Sequence, residues 1–244
     1  MRCLIFICFL FVRNDLLAQQ PCQITKVRIF YICNMKIVFA TANKGKLREA
    51  QEILGEGFEL LTPTDLGIME DIPETGETLE ENSLQKVVYI HSRTGCDCFA
   101  DDTGLEVDIL GGGPGVHTAR YAGSSKDFDD NMDKLLQEMS HAENEASMAR
   151  EYGIATPHAT RRARFRSVVT LILRDQVHVF EGTMEGKIAL RKSGNGGFGY
   201  DPVFVPDEYP GLTAADISEE QKNEISHRGK ALRAMAAWLR EHVS

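Results

Sequence analysis

Two adjacent carboxylates, Asp101 and Asp102, follow a short apolar run in Asp101-Asp102-Thr103-Gly104, and four more acids, Glu70, Asp71, Glu74 and Glu77, lie in a loop before it. Paired carboxylates at a strand terminus are costly unless cations offset their repulsion, and hard oxygen ligands of this kind suit magnesium (Mg2+) beside a phosphate site. An Asx-turn, in which Asp101 or Asp102 merely caps the loop, is the other use of the same residues. The stretch Thr41-Ala42-Asn43-Lys44-Gly45-Lys46 sits where a strand turns into a helix. Free backbone N–H groups and the positive helix end there can hold phosphate, with Lys44 or Lys46 adding charge. It lacks the GxxxxGK[ST] spacing of a Walker A loop. An ordinary capped turn with solvated lysines would use the same residues.

A further cluster is Gly194-Asn195-Gly196-Gly197-Phe198-Gly199-Tyr200-Asp201-Pro202. Its glycines let a backbone approach a ligand closely while a ring stacks on a flat base, and Asp201 could accept from a base edge. A glycine-rich hairpin end with packed aromatics is the alternative. Ser226-His227-Arg228 opens the final helix if Ser226 is its N-cap. Basic side chains at a helix N-terminus oppose the dipole, so His227 and Arg228 imply either a polar ligand group or plain exposure. Lys222 lies five residues before His227 and can converge with it only if the helix breaks near 223–225. His91, Cys96 and Cys98 do not offer zinc spacing and read as a surface histidine with two small core thiols.

The elements that position these groups follow from hydrophobic period. Residues 36–41 read as a buried strand and residues 44–54 as a helix with Leu47, Ala50, Ile53 and Leu54 on one stripe. A second strand around 59–61 leads into the acidic loop 70–77, and a helix starts near Thr78, where Thr78 and Glu81 can form a capping box. Residues 98–100 make a short strand ending at Asp101 and Asp102, continued past a turn by 105–109, before the glycines of 111–115 break regular structure. Residues 127–140 read as a helix and 141–162 as a polar connection of no clear period, expected to be mobile. Two long strands, 164–174 and 177–187, join like a hairpin at Arg174-Asp175-Gln176. The last helix buries Ile225, Leu232, Met235, Trp238 and Leu239. Strands alternating with helices, then a hairpin, predict an α/β fold with a mixed sheet.

With 43% hydrophobic and 26% charged residues, the 244-residue chain can bury a core as one medium domain or two small lobes sharing a cleft. A formal charge of -9 argues against nucleic acid as a partner, which needs a basic surface, but leaves small anionic substrates open where a few Lys and Arg converge. Four of six cysteines fall in the first 34 residues, so no disulfide framework is implied for the rest. The run LIFICFLFV at 4–12 is too short to span a membrane, although Arg2 before it and Leu17-Ala18-Gln19-Gln20 after it resemble a signal peptide. The preferred reading is that residues 1–34 precede the true start, because Met35 opens a first strand with its own initiator.

Taken in order, the stretches TANKGK (41–46), ETGETLEEN (74–82), ADDTGLEVDILGGGPGVHTARYAG (100–123), GGFGYDPVF (196–204) and EEQKNEISHRGKAL (219–232) resemble the inosine triphosphate pyrophosphatase family, the Ham1-like or RdgB-like non-canonical purine NTP pyrophosphatases. The resemblance covers about residues 35–244 and leaves 1–34 and an insertion at 141–162 without a counterpart. It implies an elongated mixed α/β sheet with two lobes, an active site in the cleft, usually a homodimer, and a cytoplasmic enzyme that cleaves inosine- and xanthosine-type triphosphates to monophosphate and pyrophosphate with magnesium. Carried over by position, Thr41, Ala42, Asn43, Lys44, Gly45 and Lys46 would hold the triphosphate. Asp102 would accept a proton and bind magnesium. Glu74 would join it on the metal, with Asp101 or Glu81 able to share that role. Thr103 would touch substrate, Phe198, Gly199, Tyr200 and Asp201 would receive the base, and Lys222, His227 and Arg228 would complete the pocket. The rivals are a Maf-like nucleotide pyrophosphatase of other base preference and a non-catalytic nucleotide-binding protein.

Overall fold

Alternation in the first strand, β1 (Met35–Phe39), sends Ile37 and Phe39 into one apolar cluster and Val38 into another on the opposite face. Helix α1 (Lys44–Leu54) follows the first strand closely, its N-terminus capped by Asn43 and its Ala50 and Leu54 buried. β2 (Phe58–Leu61) returns beside β1 in parallel. The expected capping box at Thr78 and Glu81 forms and starts α2 (Leu79–Thr94), which ends at a left-handed Gly95. The computed structural model describes residues 35–156, 158–194 and 196–243. The expectations for residues 1–34, and for Asn195, lie outside the described residues.

β3 (Cys98–Val107) is one uninterrupted ten-residue strand. The expected break after Asp102 is absent: Asp101, Asp102, Thr103 and Gly104 pair in register with Val169, Val168, Ser167 and Arg166. The Asx-turn alternative falls with it, because backbone groups committed to a ladder leave no loop to cap. A two-residue β4 (Pro114–Gly115) folds back on Leu105 and Glu106. The next helix, α3 (Phe128–Glu151), runs 24 residues, so the first half of the stretch expected to be an irregular connection continues the helix. The buried stripe of Met132, Leu135 and Met139 carries on to Ala146, and alanine prolongs a helix while weakening the apolar signal that reveals it.

β5 (Arg162–Leu173) and β6 (Gln176–Ile188) form the long hairpin, turned by Arg174 and Asp175, both at positive φ as a type I′ turn requires. β7 (Phe204–Pro206) adds to β6. Helix α4 (Glu219–Ile225) stops at Ser226, which caps α5 (His227–His242), so the break needed between Lys222 and His227 is present. Trp238 is only half-buried, between the rings of His178 and His242 at centroid distances of 4.1 and 4.2 Å.

The sheet order is β2-β1-β3-β5-β6-β7, parallel in its first three strands and antiparallel in the rest, which is the expected mixed sheet. Helices α1 and α5 share a core with β1, β3 and β5 on one face, and α2 closes the other face. A separate core gathers α3 with the far ends of β3 and β5 and with β6 and β7. Between the two halves β3 and β5 carry Asp101, Asp102, Thr103 and Ser167, so the polar site lies at the waist of one shared sheet.

Candidate active site

The site begins with a gap in the sheet. β1 stops pairing with β3 at Phe99, and β4 takes up the same side only at Leu105, so Asp101 to Gly104 have a strand neighbour on the β5 side alone. The loop after β1, residues 40–43, delivers the N-terminus of α1 to that gap, the crevice at the carboxyl end of a strand where ligands of open α/β sheets bind.

Period two then separates the carboxylates. Asp101 shares the face of Phe99 and meets α1 and α5: Lys46 Nζ lies 2.9 Å from its carboxylate and Arg228 Nε donates at 2.9 Å. Asp102 shares the face of Ala100 and meets α2: Lys86 Nζ donates to one oxygen at 2.9 Å and Asn82 Nδ2 to the other at 3.2 Å. The expected mutual repulsion is relieved by strand geometry as well as by cations. Burial pushes both carboxyls upward. For Asp101, Lys46, Arg228 and Lys86 overwhelm that effect and hold it far below the ordinary carboxylate value. For Asp102, Lys86 and Asn82 fall short, Glu74 opposes them, and the pKa stays raised. One ammonium is shared by two carboxylates, because Lys86 Nζ also donates to Glu74 at 2.8 Å. Lys86 stays protonated: burial alone would lower its pKa, but Asp102, Asp101 and Glu74 raise it.

Glu74 and Asp102, the two carboxylates expected to hold a metal, thus flank a buried cation. Among the described residues no three His, Cys, Asp or Glu side chains gather as a metal cage. Two carboxylates fit magnesium nonetheless, since that ion keeps waters and takes substrate phosphate oxygens for the rest. The two alternative ligands have partners of their own. Asp101 is committed to Lys46 and Arg228, and the Glu81 carboxylate accepts from Glu77 and Thr78 N–H in the capping box.

In the stretch 41–46, Asn43 Oδ1 already accepts from the N–H groups of Gly45 and Lys46, at 2.8 and 3.2 Å, so fewer helix-end donors are free than the sequence suggested. Thr41 Oγ1 accepts from Asn43 N–H, while Ala42 and Lys44 are exposed. Thr103 donates to Ser167 at 3.2 Å on the Asp101 face.

Around the glycine-rich loop, Phe198 is 68% exposed and touches Phe128 of α3 edge-on, with ring centroids 4.4 Å apart. Gly199, at positive φ, carries the chain past it. Tyr200 differs from expectation: it is buried in the α3 core and its hydroxyl donates to Thr118 O at 2.9 Å, so it supports the loop from beneath. The Asp201 carboxylate is engaged inside the protein, accepting from Phe198 N–H and from Lys222. His227 stacks on Phe165 with ring centroids 5.1 Å apart, and its Nδ1 is buried without a hydrogen-bond partner. Burial and the Arg228 charge bring its pKa down to about 3, so the ring is neutral at neutral pH. Arg228 also donates to Glu49 of α1 at 3.1 Å, so its donors hold three elements together.

Residues 37–238 match the Ham1 family profile. The chain belongs to the Ham1 family. Among curated relatives it is 46% identical to a dITP/XTP pyrophosphatase of Flavobacterium psychrophilum over 82% of this chain and 97% of the relative, and 45% identical to one of Porphyromonas gingivalis over 84% and 97%. Among solved structures, the Staphylococcus aureus Ham1 protein aligns at 35% identity and a TM-score of 0.73, covering 85% of this chain and all of that one. A nucleoside-triphosphatase / dITP/XTP pyrophosphatase of Mycobacterium abscessus aligns at 40% identity and 0.66, covering 84% and 99%.

For this Ham1-family chain, sequence reasoning missed Lys86, Asn82, Glu49 and Phe128. A signal for the first two was present. Leu79, Asn82, Ser83, Lys86, Val87 and Ile90 form the buried stripe of α2, and three polar residues on such a stripe must be hydrogen-bonded to something.

Proposed function

We propose that this protein hydrolyses non-canonical purine nucleoside triphosphates, dITP, XTP and ITP, to the monophosphate and pyrophosphate. The observation that carries the reading is the opposite tuning of Asp101 and Asp102 beside Glu74, in a chain similar to proteins named dITP/XTP pyrophosphatase. Neighbouring titratable groups whose environments drive them apart mark a division of roles. Asp101 stays ionised and fixes Lys46 and Arg228. Asp102, raised toward neutrality, orients a water and accepts its proton as the water oxygen bonds the α-phosphorus, while the bond to the bridging oxygen breaks and pyrophosphate leaves. Magnesium held by Glu74 and Asp102 would neutralise charge on the phosphate oxygens. Lys86 fixes the two carboxylates, and Lys44, Lys46 and the open N–H groups of the loop hold phosphate.

The exposed Phe198 ring offers a stacking face for the base. Arg228 is committed to Asp101 and Glu49 and Lys222 to Asp201, so donation to a 6-oxo group falls to His227, whose Nδ1 is buried without a partner. Adenine would present an amino donor to that ring and leave it unpaired, which discriminates strongly. By family resemblance the protein works in the cytoplasm as a homodimer. Among the described residues no helix is long and apolar enough to cross a membrane. The test is pyrophosphate release by the full chain with magnesium from ITP, XTP, dITP, ATP and GTP. The reading requires dITP and XTP to exceed ATP by at least about a hundredfold in kcat/KM, on the scale of a site that reads a polar group. Preferential ATP cleavage would sink the base assignment, and no release from any nucleotide would sink the reaction.

A further inference from the structure

Arg120 is a cation on a heavily supported turn with no partner of its own. It ends the 3-10 turn Thr118–Arg120. Thr118 Oγ1 accepts from Leu105 N–H at 2.8 Å and donates to Gly115 O, and Tyr200 donates to Thr118 O. Asn131, fully buried in α3, donates to Ala119 O at 3.3 Å and accepts from Ala122 N–H at 2.6 Å, bracketing Arg120 on both sides. A buried asparagine spent on two backbone groups of one surface turn fixes where that turn points. Yet the Arg120 side chain is exposed and makes no hydrogen bond or ion pair with any described residue.

The turn lies on the catalytic side of the sheet. A Cβ added to Gly104 would come 2.7 Å from Gly115 O and 3.2 Å from Leu79 Cδ2, so β3, the segment leading to Arg120 and the first residue of α2 meet where glycine leaves room. Gly104 shares its sheet face with Asp102 by period two. Arg120 lies within electrostatic range of the Glu74 carboxylate. Lys46 and Lys86 stand on α1 and α2, whereas the turn that carries Arg120 is held by Asn131 of α3.

We propose that Arg120 is a phosphate-binding residue, reaching the triphosphate from the α3 half and completing a cationic clamp with Lys46 and Lys86. A guanidinium on a fixed stem presents donors in a planar fork suited to phosphate oxygens, and no protein acceptor competes for it. The inference rests on the nucleotide reading above. The test uses the full chain carrying Asp102→Asn, so that bound inosine triphosphate persists, and compares its affinity by calorimetry with Arg120→Gln or Arg120→Lys added. Arg120→Gln should weaken binding about tenfold, the scale of one charge-assisted contact, with an unchanged Tm and partial recovery in Arg120→Lys. Affinity within about twofold of the Asp102→Asn parent, a lysine no better than glutamine, or a loss that tracks a lowered Tm would each overturn the proposal. Failure of the unsubstituted chain to release pyrophosphate from inosine triphosphate would instead remove the nucleotide reading, and the clamp with it.

Discussion

Asp101 and Asp102 meet different partners because a strand turns neighbouring side chains to opposite faces, and different helices cover those faces. On one side Asp101 meets two cations of its own; on the other Asp102 shares one ammonium with Glu74. Asp102→Asn keeps the shape and removes the proton acceptor, so kcat should fall about 10²- to 10⁴-fold with KM within a few-fold of the parent, read by steady-state pyrophosphate release. In the proposed function Phe198 meets the other end of the substrate, the base. Its ring is largely exposed in the free protein, so Phe198→Ala should leave Tm almost unchanged and raise KM about tenfold, as loss of one base–aromatic stack does. An unchanged KM would show that the base goes elsewhere.

At the scale of elements, the buried ion pairs act as joints. Asp101 ties β3 to α1 and α5 through Lys46 and Arg228, and Asp101→Asn would leave two cations facing a neutral amide in a dry setting. Breaking one side of such a pair costs about 3–5 kcal/mol, so the urea midpoint should drop markedly, whereas Asp102→Asn should move it far less. Much of this layer was legible in the chain. TANKGK stood where strand met helix, the Thr78 and Glu81 box formed, the hairpin turned at Arg174 and Asp175, and Ser226 capped α5. Local signals carried those elements: caps, turn residues and strong apolar period. The continuity of β3 was hidden because Asp101, Asp102 and Gly104 are poor strand formers, and the ladder to β5 overrides them. The length of α3 was hidden because Ala146 buries little surface. Lys86 escaped notice because a lysine in a helix is normally solvated, and its partners, Glu74 and Asp102, lie 12 and 16 residues away in sequence.

Across the whole molecule a net charge of -9 coexists with Lys46, Lys86, Lys222 and Arg228 set around Asp101, Asp102 and Asp201, a local concentration of cations suited to a polyanion. The same concentration of charge makes the fold sensitive to acid. His227 has a folded pKa of about 3 against an ordinary 6.5, so between those values the unfolded chain binds a proton that the folded one refuses. Its contribution is therefore present above pH 6.5 and is lost as pH falls toward 3, and His227→Gln should flatten the fall in urea midpoint across that window. An equally steep fall in the variant would place the acid sensitivity elsewhere. The central claim, attack by water on the α-phosphorus, is tested most directly by hydrolysing dITP with the full chain in ¹⁸O-water and locating the label by mass spectrometry. The account predicts one heavy oxygen in dIMP and none in pyrophosphate; label in pyrophosphate, or release of orthophosphate in its place, would contradict it.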